Sequence, residues 1–470
     1  MSYNPIFAIL SSLKPLFFKE LKNELEPWKM SKHKTPESNK SDMWLDGTPY
    51  WEGIQMDETG FPILLAGSLR RENALGTLHA WPMVRRAAGF LVRNGPVTQQ
   101  DRWEEDGGYA PFTLAVEIAA LLEAADFAAE AGDTRAARYL RQTADAWNAK
   151  IEEWTYVTNT CLARQVGVEG YYVRIAPPEV ADAASPKDGY VPIKNRPPDQ
   201  SLAPSAYIVS PDALALVRFG LRAADDPRMR NTVRVIDALL KTETATGPVW
   251  HRYNGDGYGE HDTGEPFDGT GVGRGWPLLA GERAHYELAL GRKDEARRLL
   301  RVMAAQTTPG GLLPEQVWDA PDIPELELFN GRPADSAMPL VWAHAEYLKL
   351  LRSLRDGHVF DMPTLTVPRY QEEKIPSPFV IWRFNHKCRR LPTGKLLRIE
   401  VLAPAVIHWS VDEWRTVEDS ATSDTELGVF IADLPTASLP AGARVRFTFF
   451  WTTAQRWEGL DFAVTVQSAS

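Results

Sequence analysis

Between residues 111 and 154 the chain writes one pattern twice, and that pattern limits the folds open to it. An Ala-rich stretch from Pro111 to Glu130 has apolar residues at helical spacing. A second such stretch runs from Thr134 to Trp154, and only Ala131-Gly132-Asp133 separates them. Glycine ends a helix well because it enters the left-handed region without a steric penalty, and aspartate caps the next helix with its carboxylate. The unit is therefore an antiparallel helical hairpin. It recurs at 212–224 and 228–240 around Asp225-Asp226-Pro227, and at 278–290 and 294–303 around Gly291-Arg292. Further helices are predicted over residues 5–28, 57–70, 78–92 and 337–354. About ten helices in pairs, with long loops between the pairs, allow an α-solenoid or a closed ring. Long aromatic loops at one end of the pairs fit the ring better.

Near Pro363 the period changes from helical to alternating. Leu396–Val401, Val406–Val411 and Arg444–Trp451 read as strands, and Leu439-Pro440-Ala441-Gly442 reads as a turn. The expected fold is mostly α, a helical toroid followed by a small antiparallel β domain, a sandwich. The expected segments are 1–43 (a helix and a polar linker), 44–362 (the toroid) and 363–470 (the β domain). Four tryptophans of the last segment, Trp409, Trp414, Trp451 and Trp457, could bind sugar or could simply pack.

Bulk properties exclude several classes. A net charge of −10 argues against nucleic acid or an anionic membrane as partner. No run of eighteen apolar residues is present to span a bilayer. The N-terminus gives no export signal, because lysines interrupt Ile6–Leu10 and its continuation, so a cytoplasmic location is the default expectation. Two cysteines and nine scattered histidines offer no metal-ligand spacing.

Asp101–Tyr109 is the stretch richest in chemistry. Glu104 and Glu105 follow Trp103, and a carboxyl against an aromatic wall is poorly solvated, so it can hold a proton near neutral pH. Acids ahead of a helix also suit its dipole, which is a purely structural alternative. A second carboxylate, Glu315, follows Pro314 on a turn between helices and could hold a water. Loop 249–276 is Gly-rich and aromatic. Asn254, Asp256, Gly259 and Glu265 fall on calcium-loop positions, but Tyr258 occupies the fifth and helices do not flank it, so no metal is expected. Arg252 is either a donor to ligand hydroxyls or a loop-stabilising ion pair. Trp51 and Trp276 could wall a sugar site or pack helix ends.

Taken together, Trp44–Trp51 with Gln55–Thr59, Arg102–Glu105 with Gly108-Tyr109, Trp250–Gly259, Gly273–Leu279, Leu313–Trp318 and Ser336–His344 resemble, in order, the bacterial glucoamylases and glucodextranases of glycoside hydrolase family 15. The resemblance covers about residues 42–362. It implies an (α/α)6 barrel and inverting exo-hydrolysis of α-glucosidic bonds, with release of β-glucose and no cofactor. The implied partner is an α-glucan oligosaccharide or polysaccharide. It makes Glu104 the general acid and Glu315 the general base. Glu105 and Arg252 fall where the family contacts the sugar, Trp51 falls on a subsite tryptophan, and Gln55 and Asp57 follow it. Trp103, Trp276 and Gln316 complete the expected substrate contacts. The family is often exported.

The family carries a Trp-Pro-Arg-Asp motif in earlier barrel helices, whose Arg and Asp hold the terminal glucose. Residues 1–43 contain no such motif. The expectation is therefore an incomplete barrel from a truncated or rearranged product. Besides the active hydrolase, a catalytically impaired relative that binds glucan or a partner chain stays open.

Overall fold

The computed structural model describes residues 53–181 and 186–468. The chain divides into Met1–Ile54 and Gln55–Ser470, and everything below lies in the second unit. The expected helix at 5–28 and Trp51 lie outside the described residues.

Eight helices of thirteen residues or more make the first part: α1 (Met56–Arg71), α2 (Trp81–Asn94), α3 (Pro111–Glu130), α4 (Thr134–Asn148), α5 (Pro227–Leu240), α6 (Pro277–Ala289), α7 (Lys293–Ala305) and α8 (Val341–Asp356). Proline opens α3, α5 and α6 at the first helical position, where its missing N–H has no intrahelical partner to lose. The α3–α4 hairpin forms as the sequence predicts. Gly132 sits at φ 81°, and the Asp133 carboxylate accepts from the Ala136 N–H.

Burial sorts the helices into two layers. In α3, 17 of 20 residues are buried, so it has neighbours on nearly every side. In α4 most of the buried residues, such as Ala136, Leu140, Thr143 and Trp147, fall on one face. α1 packs on α3, α3 on a single turn at Ala215–Arg218, that turn on α6, and α6 on α8. This inner series is backed by α2 against α1 and α3, α4 against α3, and α7 against α6 and α8.

Two expected helices differ. Residues 212–224 form only a 3₁₀ turn, Pro211–Leu214, and the α turn Ala215–Arg218. Gly220 then takes φ 72°, and a Cβ there would lie 2.5 Å from Thr366 Oγ1, so close packing against residue 366 stops the helix. The helix starting at Thr134 ends at Asn148, and Ile151–Thr155 forms a separate turn.

The second part comprises β1 (Phe379–Trp382), β2 (Arg390–Pro392), β3 (Leu396–Val401), β4 (Ala405–Ser410), β5 (Glu418–Ala421), β6 (Ser423–Asp424), β7 (Phe430–Leu434), β8 (Arg444–Trp451), β9 (Arg456–Trp457) and β10 (Phe462–Gln467). One sheet runs β5-β4-β8-β10-β2 with β9 beside β8, and the other runs β6-β7-β3-β1. Both sheets contribute to one core that includes Trp382, Leu397, Ile399, Ile407, Phe447 and Phe449, so the unit is a sandwich. It is mixed rather than wholly antiparallel, because β1 pairs parallel with β3 and β10 parallel with β2. Alternation alone reads burial of one face and does not encode strand direction.

The sandwich packs on the helices. Arg383 donates to the Gly95 carbonyl at 2.9 Å, Arg398 donates to Gln142 Oε1 at 2.9 Å, and Tyr139 donates to Glu400 at 3.1 Å. Of the four tryptophans singled out in this region, Trp409 belongs to the core and Trp451 packs on its margin. Trp414 and Trp457 both lie against His408, with ring centroids 5.7 and 5.3 Å away.

Candidate active site

The inner helices all begin where candidate residues sit. Gln55 precedes α1, the Asp101–Tyr109 loop precedes α3, Trp276 precedes α6 and the Glu315–Leu340 segment precedes α8. Isolated backbone bridges lace these loops together, Gln55 to Gln100, Trp250 to Trp276 and Gly275 to Val317. Helix N-termini carry positive partial charge, so this end favours carboxylates.

Glu104 has φ 60°, in the left-handed region. A non-glycine residue held there costs on the order of 1–3 kcal/mol, and such strain gathers at functional positions. The conformation is fixed from both sides. The Glu104 N–H donates to the Asp101 carbonyl at 2.9 Å, and its carbonyl accepts from Lys194 Nζ at 2.6 Å. Its neighbour is placed differently. Glu105 Oε1 accepts from Arg252 at 3.0 Å, and Oε2 accepts from Arg174 at 2.9 Å and from the Tyr253 hydroxyl at 2.5 Å. The Glu105 carboxylate is thus committed as an acceptor to three donors.

Arg174 is the centre of the support. Its guanidinium is fully buried, bonds Asp101 at 2.6 Å, Glu105 at 2.9 Å and Asp106 at 2.9 Å, and lies 3.9 Å from the Tyr253 ring centre. Burial pushes the Asp106 carboxyl up to about 6, against the pull of Arg174.

Arg252 is tied into the loop by ion pairs. It grips both oxygens of Asp256 at 2.7 Å and reaches Glu105, while its guanidinium carbon lies 4.9 Å from the Tyr258 ring and 5.3 Å from Trp103. Asp256 also accepts from the Tyr258 N–H, and Asn254 donates to the Tyr207 carbonyl, so the calcium-like positions serve the loop itself. Gly257 has no alternative, because a Cβ there would lie 1.8 Å from the Asn195 carbonyl oxygen.

Tyr258 carries the connection across to Glu315, its hydroxyl donating to Oε2 at 3.4 Å. Burial raises the Glu315 carboxyl above the ordinary carboxylate range, and the charge of Glu260 adds to this. The Ala337 backbone, Arg252 and Tyr258 oppose it. Glu105 and Glu315, far apart in sequence, are therefore linked through Arg252 and Tyr258.

The remaining candidates have internal partners. Trp103 donates to Asp212 at 3.1 Å and packs edge-on against Trp276 at 5.2 Å. Both indoles are largely buried. Gln55 donates to the Asp101 carbonyl at 2.6 Å, and Gln316 accepts from the Arg274 N–H at 3.2 Å. Asp57 is buried, accepts from Thr113 at 3.0 Å, and is pushed up to about 6 by that burial. A carboxyl raised by folding takes up a proton between about pH 4 and 6, so stability falls as pH rises through that window. Asp57→Asn should therefore flatten the dependence of stability on pH between 4.5 and 7.5. An unchanged slope in urea titrations would contradict this.

Sequence reasoning passed over Arg174, Tyr253 and Trp342. Trp342 is partly exposed, with its ring 5.6 Å from Trp103 and Arg102 beneath it at 5.5 Å. A buried arginine flanked by Tyr171, Tyr172 and Val173 was the one available signal for Arg174, since an arginine in an apolar run needs carboxylate partners.

The family model described as Glycosyl hydrolases family 15 matches residues 20–352. A glucoamylase from Clostridium sp. (strain G0005) is 41% identical over 327 residues, covering 70% of this chain and 43% of that protein. The crystal structure of a bacterial glucoamylase complexed with acarbose is similar at a TM-score of 0.61 and 40% identity, over 70% of this chain and 44% of that one. The chain thus spans less than half the length of these two relatives. Its helices are those of an (α/α)6-type toroid, and the chain belongs to glycosyl hydrolases family 15.

Proposed function

We propose that the chain carries the acid–base apparatus of an inverting, exo-acting α-glucoside hydrolase that releases β-D-glucose from non-reducing ends of α-glucans. The observation behind this is the contact path from the Glu104–Glu105 loop through Arg252 and Tyr258 to Glu315. Protonated Glu104 gives its proton to the glycosidic oxygen. Ionised Glu315 takes one from a water on the opposite face of the sugar. Inversion needs about 6.5–9.5 Å between the carboxyls to seat that water. In this reading residues up to about 362 carry the chemistry, and 363–470 brace it. The relatives' names, and the acarbose in one of them, support glucan as the substrate class.

Hydrolysis of maltose, isomaltose, dextran and starch, followed by NMR of the first anomer formed, tests the reading. β-Glucose is the expected first product, and α-glucose would reject inversion. Because Glu315 must be ionised to act and its carboxyl is raised, activity should rise with pH along a limb lying above the usual carboxylate range. A limb at or below pH 4 would remove Glu315 as the base.

A second reading is a catalytically impaired relative that binds glucan or a partner chain. It is favoured by apolar side chains exposed at both ends of the inner series, Phe61 and Leu65 on α1 and Val341 and Leu348 on α8. Glucan affinity without turnover would decide for it.

A further inference from the structure

Away from the catalytic loops, α5, α6 and the turn after α6 enclose a half-open cavity of about 430 Å³. Arg230, Arg234, Arg283 and Arg292 line it, with Tyr286 and a single carboxylate, Asp237. That carboxylate is already taken. It accepts from Arg283 at 3.0 Å and from the Trp250 indole at 2.9 Å. Glu287, behind the wall, is paired with Arg283 and with Arg292, the latter at 3.2 Å. Arg283 is thereby fixed in place and largely buried.

Arg230 and Arg234 are different. They stand one turn apart on α5, and their side chains make no ion pair or hydrogen bond with any described residue. Like charges at this spacing repel, and the one carboxylate beside them, Asp237, is already shared by Arg283 and Trp250. In a chain of net charge −10, a concavity with this excess of guanidinium is a local reversal of sign. Guanidinium groups match phosphate oxygens with paired hydrogen bonds and shed water more readily than ammonium groups. The volume falls in the range of small-molecule sites and exceeds what one phosphate needs, which leaves room for an attached ring.

We propose that this groove binds a phosphate-bearing small molecule of sugar size, held by Arg230 and Arg234 over the fixed Arg283. The proposal stands apart from the hydrolase reading and does not need it. The test is calorimetric titration of the whole chain with glucose 1-phosphate and, separately, with inorganic phosphate, at constant ionic strength. Glucose 1-phosphate should bind, inorganic phosphate should bind more weakly, and the double variant R230A/R234A should lose at least about tenfold in affinity. R230K/R234K should retain part of it. An unchanged melting curve for R230A/R234A without ligand shows that the loss is not unfolding. Three outcomes overturn the proposal: no binding beyond that seen with sodium chloride, equal affinity for both probes, or glucose 1-phosphate affinity that survives in R230A/R234A. The last would place the ligand elsewhere, including at the catalytic loops.

Discussion

Glu104→Gln and Glu315→Gln should each lower turnover on maltose by at least about a hundredfold, with melting temperatures close to that of the parent. A hundredfold loss corresponds to about 2.7 kcal/mol of transition-state stabilisation, a magnitude expected of a positioned proton-transfer group. The two variants should part company on a substrate with a good leaving group. Fluoride ion leaves α-glucosyl fluoride without protonation, so the Glu104 variant should regain much of its rate on that substrate. The Glu315 variant should not, because the water still needs its base. Near-normal maltose turnover in either variant would reject the assignment, and so would rescue of the wrong one. Glu105→Gln is the control that tells the adjacent carboxylates apart. It weakens the bonds from Arg174 and Arg252, so it should act through loop position and show no rescue by fluoride.

Much of this was legible in the residues. The Ala131-Gly132-Asp133 hairpin forms as expected because the glycine and the capping aspartate fix it locally, without help from elsewhere. What failed were segments decided by distant packing. Residues 212–224 look helical, yet Gly220 is pressed on Thr366, a contact 146 positions away. Strand direction in the sandwich was likewise invisible, since β1 and β3 pair in parallel after a crossover that alternation cannot report. In the site, Glu105, Arg252 and Glu315 are linked by contacts, but their supports were not foreseen. Tyr258 entered the sequence reading only as the residue that spoils a calcium template. In the fold it is the step between Arg252 and Glu315. Arg174 carries no motif, and its importance comes from three carboxylates that converge on it only after folding.

That convergence gives the largest expected effect on stability. Arg174→Ala should destabilise the protein by about 3–5 kcal/mol near pH 8, because it strands buried Asp101, Glu105 and Asp106 without their shared cation. Against a total of about 5–15 kcal/mol for a folded domain, this is enough to unfold a marginal chain at growth temperature. The defect should depend on pH with a definite sign. Arg174 lowers the Asp106 carboxyl, which burial already pushes up to about 6, so its removal raises that carboxyl further. A carboxyl whose pKa is higher in the folded state favours folding when protonated, and that gain is lost as pH rises through it. The gap in melting temperature between parent and variant should therefore narrow as pH falls from 8 to 5. Arg174→Lys keeps one positive charge but cannot serve three carboxylates from a rigid fork, so it should fall between the two. A gap that stays constant across this range would mean that packing on the Tyr253 ring, and not charge, is what Arg174 supplies. Because Glu105 loses one of its three donors in the variant, the adjacent Glu104 backbone should also lose its fixed left-handed setting. Turnover at pH 6, where enough protein stays folded, should then drop together with stability.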